Sequence, residues 1–222
     1  RARIEILKDY LKLNSPDLVL LQEIKTEEVN YPFNEIKKLG YISYVSGQKS
    51  YNGVSILSKK KLNSVKKILS GDKIKQARII TAKTKIKNNN IEIINIYIPN
   101  GNPVNTDKYS YKLSWMDLFI KEVGRKIKKG EKLIIGGDFN VIPESIDVHN
   151  PEKYEKDALF KLEIRKKFRM LLNLGLHDVY RYFFKDKQEY TFWDYTSGSW
   201  PKDHGMRIDH FLVSNEILNN RP

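Results

Sequence analysis

The sequence predicts a layered α/β fold with mixed β-sheets, and three patterns support this prediction. Short apolar runs bounded by turn residues predict buried strands, and longer stretches with apolar residues every three or four positions predict helices. Some neighbouring strands are joined by short loops, as in antiparallel hairpins, whereas others are separated by a helix long enough for a crossover. No repeat, low-complexity tract or Gly/Ser linker interrupts the chain, so we expect residues 1–222 to belong to one domain.

The elements are predicted in order along the chain. Apolar residues at a helical period predict helices at residues 4–13, 34–39, 109–129 and 163–173, and a glycine follows each of the last three. Apolar runs predict strands at residues 17–23, 41–46, 54–58, 77–85, 91–98, 133–135 and 208–213. Asn52-Gly53 and the three asparagines at 88–90 supply turns. The 133–135 strand runs into residues 136–140, and a polar loop is predicted from there to about residue 156.

Composition bounds the environment of the protein and its class of partner. The net charge of +13 favours a polyanionic partner, although the excess of lysine over arginine is also what an AT-rich genome produces. The absence of cysteine excludes disulfides and thiolate metal sites and suits a cytoplasmic protein. Apolar runs such as residues 18–21 are too short to cross a bilayer, so no membrane association is expected.

Polar side chains follow three of the predicted buried strands. Glu23 ends one strand, Asn100 and Gly101 end another, and Asp138 and Asn140 end a third. Ligands usually bind at the carboxyl ends of strands in an α/β sheet, and carboxylates that converge there repel one another unless a cation neutralises them. Oxygen ligands without cysteine favour Mg²⁺, with Mn²⁺ as the alternative. Taken singly, a strand-end Glu is more often solvated, and Gly-Asp-Phe-Asn is compatible with a simple turn.

Several segments together resemble the exonuclease III and AP-endonuclease family, within the endonuclease/exonuclease/phosphatase superfamily. The matching motifs are Leu-Leu-Gln-Glu-Ile-Lys at 20–25, Asn-Gly-Val-Ser-Ile-Leu-Ser at 52–58, Tyr-Ile-Pro-Asn-Gly at 97–101, Gly-Asp-Phe-Asn at 137–140 and Arg-Ile-Asp-His-Phe at 207–211. Residues 157–160 and 171–176 are similar to the bacterial exonuclease III branch. The resemblance implies a DNase I-like four-layer α/β sandwich, with two mixed sheets face to face and helices outside.

The resemblance also implies roles for individual residues. Glu23 would be a metal ligand, together with Asp138 and Asn140. Asp138 would accept the proton of the attacking water, while Asn140 would hold that water and the scissile phosphate. Tyr97 would donate a hydrogen bond to the phosphate or the leaving group, unless it simply packs within its strand. Asp209 would orient a catalytic histidine, unless it is a salt-bridge partner of the nearby Arg207.

The implied substrate is double-stranded DNA with abasic sites or 3′ ends, bound by a monomer. Asn100 and Gly101 would contact the DNA backbone, as would Lys49 and the lysines between Asn105 and Lys112, although a solvated charged face explains most surface lysines equally well. A small apolar slot would admit a deoxyribose that lacks its base. Its members would be Phe192, Trp193, Met206 and Ile208, in an apolar group that also includes Trp200 and that ordinary core packing would explain in part.

The histidines do not match the catalytic histidine of the family. His210 follows the Arg-Ile-Asp motif, His204 is predicted in a loop, and His149 and His177 are predicted at the surface or in loops. The family pattern begins with an Asn-bearing strand and ends with an Asp-His pair that this stretch does not contain. We therefore expect a polypeptide of residues 1–222 alone to be inactive, and both terminal strands of the domain to be missing.

Two other classes of function remain open from the sequence. The first is another phosphodiesterase of the same fold, such as a non-specific DNase, a phosphoinositide phosphatase or a sphingomyelinase, which would keep Glu23 and Asp138 but would not need the Phe192 slot. The second is a non-catalytic DNA-binding module in which the carboxylates are structural.

Overall fold

Two β-sheets pack face to face and carry helices on their outer sides. The computed structural model describes residues 3–195 and 198–219. The strands are β1 (Leu18–Gln22), β2 (Ile42–Ser46), β3 (Val54–Ser58), β4 (Asn63–Lys66), β5 (Ile79–Ile86), β6 (Asn89–Tyr97), β7 (Lys132–Asp138), β8 (Leu176–Asp178), β9 (Phe192–Trp193), β10 (Gly205–Met206) and β11 (Asp209–Ser214). The helices are α1 (Ile4–Asn14), α2 (Phe33–Lys37), α3 (Asp107–Lys128), α4 (Pro151–Tyr154), α5 (Leu162–Asn173), α6 (Val179–Phe183) and α7 (Asn215–Asn219).

The smaller sheet has the strand order β1-β3-β2, and both of its pairings are antiparallel. Helices α1 and α2 pack on its outer side because each has an apolar face; Leu11 and Ile36 are buried there against Val45 and Leu57. Helix α1 ends where Ser15 adopts a left-handed conformation (φ 45°) and its N–H bonds to the Leu11 carbonyl, a common way to end a helix.

The larger sheet has six strands in the order β4-β5-β6-β7-β11-β8. Its parallel pair is β6 with β7, joined by the long helix α3, and its other pairings are antiparallel. Helices α3 and α5 cover the outer face because their apolar residues recur at the helical period. Trp115, Phe119 and Val123 of α3 are buried there, together with Phe168 of α5.

Alternation along β6 divides its side chains between two cores. Ile94 and Ile96 point toward α3, whereas Ile91 and Ile93 belong to the apolar layer between the sheets. Asn95 shares the inter-sheet face and is fully buried. Its amide donates to the Leu21 and Ser55 carbonyls at 2.9 and 2.8 Å and accepts from Gln22 Nε2 at 2.6 Å, so it ties the two sheets together.

This architecture confirms the predicted four-layer α/β sandwich, with differences at individual elements. The loop predicted around Asn52-Gly53 joins β2 to β3, as expected. The turn predicted at 88–90 lies at residues 87–88, because β6 already begins at Asn89. The predicted polar loop after β7 instead contains a 3-10 turn at Ser145–Asp147, helix α4 and buried apolar residues such as Val141 and Ile142. Several short elements escaped prediction because, unlike the five-residue strands β1 to β3, they carry no clear apolar run bounded by turn residues: β4, β8, β9, β10, α6 and α7. Within the described residues, no helix is long and apolar enough to cross a membrane.

Candidate active site

Three polar side chains lie in one row across the ends of adjacent strands, at the edge of the larger sheet where these strands stop or start. Tyr97 ends β6 and pairs with Asp138 at the end of the parallel β7, and Asp138 pairs in turn with Asp209, the first residue of the antiparallel β11. The close approach of β6 and β7 requires Gly137, which has φ 140° and at which a Cβ atom would lie 2.0 Å from the Ile96 carbonyl oxygen. Strand pairing alone therefore brings together three of the predicted catalytic residues.

Glu23 reaches the same edge from the smaller sheet. It directly follows β1, adopts φ 52°, and accepts a hydrogen bond from Tyr97 Oη at 2.5 Å and a salt bridge from Lys25 Nζ at 2.9 Å. Partial burial opposes ionisation of this carboxyl, but the bonds from Tyr97 and Lys25 outweigh burial and hold its pKa below the ordinary value. Glu23 is thus an ionised, half-exposed carboxylate at the rim between the sheets.

Asp138 has the opposite electrostatic environment. Burial of its carboxyl, reinforced by the neighbouring charges of Asp209 and then Glu23, raises its pKa to about 8, although a hydrogen bond from the Asn140 backbone favours the charged form. Burial and the bond to Glu23 also raise the pKa of Tyr97, so its hydroxyl stays protonated as a donor. The site therefore contains one stable carboxylate, one weakly acidic carboxyl and one permanent hydroxyl donor.

Two turns complete the site beside Asp138. The Asn140 N–H donates to Asp138 Oδ1 at 2.8 Å, and its side-chain amide donates to the Ile98 carbonyl at 2.9 Å. Asn140 Oδ1 accepts from Asn100 Nδ2 at 3.2 Å. Asn140 has φ 49°, a left-handed conformation that asparagine tolerates better than most residues. The predicted residues Asn100 and Asn140 are therefore in direct contact, and their amides are oriented by each other.

The structure corrects the expectation that Lys112 contacts DNA. The Lys112 side chain lies on the inner face of α3 and is fully buried. It donates to the carbonyls of Asn100, Asn140 and Ala158 at 2.9, 2.6 and 3.1 Å. No part of it is available to a phosphate at the surface. Burial lowers its pKa to about 7, against the opposing effect of nearby carboxylates. The predicted residue Gly101 is buried against the same side chain.

Lys49 lies on an exposed loop next to the Glu23 turn. Backbone bonds from Ile24 to Gly53 and from Lys25 to Asn52 hold the two segments side by side. Asn52 also bonds through its side chain to Gln48. The loop that carries the exposed Lys49 therefore lies beside the turn that carries Glu23.

The four predicted pocket residues divide into an exposed and a buried pair. Phe192 pairs with Met206 across the short β9–β10 ribbon, and 36% of Phe192 is exposed. Trp193 is half-buried, and its indole N–H donates to Asp203 Oδ1 at 2.9 Å. Met206 and Ile208 are 6% and 4% exposed and belong to an apolar cluster with core residues, so ordinary packing explains most of their contacts.

Arg207 does not pair with Asp209, which removes the proposed structural role for Asp209. The buried Arg207 guanidinium forms salt bridges with Asp147 at 2.7 Å and Asp178 at 2.8 Å. The Asp209 backbone N–H donates instead to Thr191 Oγ1 at 3.0 Å. Burial raises the pKa of the Asp209 carboxyl, which faces the edge that holds Asp138.

The histidines lie outside this row of site residues. His210 is buried, and its ring nitrogens contact Arg207 Nη1 and the Val141 carbonyl, each at 2.9 Å. Since a guanidinium only donates, His210 Nδ1 must accept and Nε2–H must donate, which is a neutral structural histidine. His149 and His204 stack in loops with ring centroids 4.5 Å apart. His177 is part of the edge strand β8 rather than of a loop, and it is half-buried.

The donor set suits a divalent cation that is only partly held by protein. Among the described residues no group of three or more His, Cys, Asp or Glu side chains is arranged to hold a metal. Mg²⁺ usually keeps several waters and is bound through one or two carboxylates plus substrate phosphates. The ionised Glu23, with Asp138 and Asn140 nearby, fits that mode of binding, and a cation would relieve the repulsion between the carboxyls.

Sequence reasoning missed three buried polar residues around the site. Lys112 occurs at helical spacing from Tyr109, Trp115 and Phe119, which predicts a position on the buried face of α3. Asn95 shares the inward face of β6 by alternation with Ile93 and Tyr97. Both signals were readable from the sequence.

Arg78 is the third missed residue. Its guanidinium lies 4.9 Å from the Tyr97 ring centroid and donates to the Tyr97 carbonyl at 3.2 Å. Arg78 falls within the predicted strand 77–85, although β5 begins only at Ile79, and no sequence signal indicates its contact with Tyr97.

Comparison with known proteins places this arrangement in a family. A sequence profile of the endonuclease/exonuclease/phosphatase family matches residues 1–221. The chain belongs to this family. A DNA-(apurinic or apyrimidinic site) endonuclease of Dictyostelium discoideum is 31% identical over 215 residues, which is 96% of this chain. The chain spans 58% of that relative's length.

Two solved members of the family have nearly the same fold. An AP endonuclease from Archaeoglobus fulgidus superposes with a TM-score of 0.92 at 33% identity, over 99% of this chain and 84% of that one. The 3′ phosphatase NExo from Neisseria, bound to a product DNA hairpin, gives a TM-score of 0.91 at 32% identity with the same coverage. The sequence-level assignment to exonuclease III-like and AP-endonuclease proteins is thereby confirmed.

Proposed function

We propose that the protein is a divalent-metal-dependent DNA-repair nuclease of the exonuclease III type. It would hydrolyse phosphodiesters 5′ to abasic sites and remove nucleotides from 3′ ends. The observation that carries this proposal is the meeting of Glu23, Tyr97, Asp138 and Asn140 at one rim, from the ends of three strands that belong to two sheets. The similarity to an AP endonuclease and to a DNA-bound 3′ phosphatase supports the substrate class.

Asp138 is the proposed general base. A base is most effective when its pKa is near the working pH. Burial and the neighbouring carboxylates raise the pKa of Asp138 to about 8 without a cation, and a bound cation would lower it from there. The Asn140 N–H holds Asp138 Oδ1, so the second oxygen is the one that would accept the proton from water. Asp209, beside Asp138 across the strand pair, contributes the negative charge that keeps this carboxyl basic.

Glu23, with Asp138 and Asn140 beside it, would hold Mg²⁺ or Mn²⁺. When bound, such an ion supplies a Lewis acid that polarises a non-bridging phosphate oxygen.

Asn140 and Tyr97 are the proposed donors to the phosphate. Asn140 uses one amide hydrogen for the Ile98 carbonyl, and its other hydrogen remains for a phosphoryl oxygen or the attacking water. The Tyr97 hydroxyl stays protonated and can transfer its hydrogen bond from Glu23 to the substrate. Preorganised donors of this kind stabilise charge as it develops on the phosphate in the transition state.

Contacts around the reacting phosphate would select the DNA. The exposed Lys49 and Asn100 would position the backbone, since phosphate contacts fix register without reading sequence, whereas the buried Gly101 leaves room for Lys112 instead. Phe192 and its cross-strand partner Met206, together with Ile208, would form the slot for a flipped-out abasic sugar. Trp193 follows Phe192 directly in β9 and therefore points to the other face of the ribbon, where it contacts Trp200. An enzyme specific for abasic sites would need this slot, whereas a non-specific DNase or a phosphoinositide phosphatase of the same fold would not.

The test is cleavage of a duplex with one abasic site, using the complete gene product and its Asp138→Asn variant with Mg²⁺. We expect the variant to lose cleavage by at least about 10³-fold while DNA affinity changes little, because binding does not need a base. Asp9→Asn, an exposed carboxyl on α1, is the matched control and should cleave normally. Equal cleavage of intact and abasic duplex would favour a non-specific DNase, and unchanged cleavage by Asp138→Asn would reject Asp138 as the base.

A further inference from the structure

Lys112 has no role in the chemistry described above, yet it is buried at the point where the site's turns meet. It lies on the inner face of α3 with 0% of its surface exposed. Burial of a charged group is unfavourable unless partners compensate it. The identity of those partners therefore indicates what the residue does.

The Lys112 ammonium donates to backbone oxygens from three separate segments. Its bonds reach the carbonyls of Asn100 after β6, Asn140 after β7, and Ala158 before α5. An ammonium has three N–H donors, so all of them are used. No carboxylate lies within salt-bridge distance of it in residues 3–195 and 198–219, which contrasts with Lys126 on the same helix, paired with Glu92 at 2.7 Å.

The surrounding residues are shaped to this side chain. A Cβ atom at Gly101 would lie 2.6 Å from Lys112 Cδ, so the glycine leaves room for the lysine. Asn102 links the same segments independently, since its side chain bonds to Asp157 Oδ1 and to the Ala158 N–H, both at 3.0 Å. The turn after β6 and the loop before α5 are thus joined around Lys112.

We propose that Lys112 is a positioning residue for phosphodiester cleavage: its ammonium holds the Asn100 and Asn140 turns in one fixed relative geometry. Through Asn140 it sets the side-chain amide that would contact phosphate and the N–H that holds Asp138. Through Asn100 it sets the residue that bonds to the Asn140 amide. This inference rests on the proposed function, because it assigns Lys112 an effect on that reaction.

The first experiment compares two buried lysines of α3. Lys112→Met removes the donors and keeps most of the volume; Lys126→Met does the same at the far end of the helix. In the complete gene product, we expect Lys112→Met to lower kcat on abasic duplex roughly 100-fold with little change in KM, because small misplacements of reacting groups have effects of that size. Lys126→Met should keep its kcat even if it melts at a lower temperature.

A double-mutant cycle separates positioning from general stability. If Lys112 acts through the Asn140 side chain, adding Lys112→Met to Asn140→Ala should reduce kcat by less than the additive amount, because the amide that it positions is already absent and only the Asn140 N–H and the Asn100 turn can still be displaced. Fully additive losses, or a Lys112→Met protein with normal kcat, would overturn the inference. If Lys112→Met does not fold, Lys112→Gln replaces it, with a smaller loss of kcat expected because one donor group is retained.

The outcomes also distinguish this inference from the proposed function. Full activity of the single variant Asn140→Ala would remove Asn140 from the site and reject the proposed mechanism. Loss of activity in Asn140→Ala, together with normal kcat in Lys112→Met, would reject only the role of Lys112.

Discussion

Asp138 is held where its charged form is unfavourable. It lies between Tyr97 and Asp209 in the strand register, with Glu23 facing it from the other sheet. A residue selected only for stability would not be a carboxyl at this position, because burial and like charge both oppose its ionisation. Such locally unfavourable placements cluster at functional sites, where the rest of the fold compensates for them.

Replacing this carboxyl should therefore stabilise the protein. The folded-state pKa of about 8 lies above the ordinary 3.8, so the folded state binds the proton more tightly and stability falls as the pH rises between these values. At about pH 9 without divalent cations, we expect the melting temperature of Asp138→Asn to exceed that of the wild type by about 2–4 °C. This difference should become smaller toward pH 5. Thermal denaturation followed by circular dichroism measures this. A variant that melts lower at pH 9 would contradict it.

At the scale of elements, a buried charged network connects the segments behind the site. Asp147 accepts hydrogen bonds from Arg207 at 2.7 Å and Arg181 at 2.5 Å, which joins the loop after β7 to α6 and to the segment before β11. Asp178 at the end of β8 and His210 in β11 also contact Arg207. Because Arg207 is two residues before Asp209, this network anchors the strand that brings Asp209 to the site.

His210 gives this network a dependence on pH. Burial, and then the Arg207 charge, lowers the pKa of His210 from 6.5 to about 4. Between about pH 4 and pH 6.5 the unfolded chain binds more protons than the folded protein does. The stability that the neutral His210 contributes therefore increases with pH across this range and is lost as the pH falls to about 4. His210 should account for about 3 kcal/mol of that change at most.

His210→Gln should flatten the profile, because Gln can accept from Arg207 and donate to Val141 without titrating. Urea denaturation from about pH 4.5 to pH 7 tests the difference between the two proteins. Parallel profiles would show that other groups control the acid sensitivity.

At the scale of the whole molecule, the site depends on how the two sheets pack. Glu23 belongs to the smaller sheet and Asp138 to the larger one, so their approach requires a fixed relation between the sheets. Apolar packing between the sheets is abundant but not directional. Directional links come from the Tyr97–Glu23 bond and from Asn95, which is fully buried and bonds across to Leu21 and Ser55.

Asn95→Ala should destabilise the protein by about 2–4 kcal/mol, because it creates a cavity and leaves buried carbonyls without donors. Asn90→Ala, an exposed position on the same strand, is the control and should change stability by less than about 0.5 kcal/mol. Chemical denaturation gives both values. Equal effects from the two variants would show that the inter-sheet amide has no special importance.

Local patterns predicted most of the long elements and the positions of polar residues at strand ends. Residues 109–129 were predicted as a helix and α3 spans Asp107–Lys128, because its apolar period is long and ends in glycine. Short elements without an apolar run or a capping signal, such as β9 and α6, were not predictable because their conformation depends on partners distant in sequence. The five-residue strands β1 to β3 were predicted because each is an apolar run bounded by turn residues. Lys112 shows the same limit at a single residue. Its helical spacing places it on the buried face, but its partners come from three other segments.

The sequence by itself determined the family, the layered architecture and the strand ends that carry Glu23, Tyr97, Asp138 and Asn140. These follow from short-range patterns and motifs, which can be recognised in one sequence without its tertiary structure. Only the tertiary structure decided that Tyr97 bonds to Glu23, that Asp138 is a weak acid, and that Arg207 pairs with Asp147 rather than Asp209. Hydrogen bonds, ion pairs and pKa values depend on distances between residues far apart in the chain, and folding alone sets those distances.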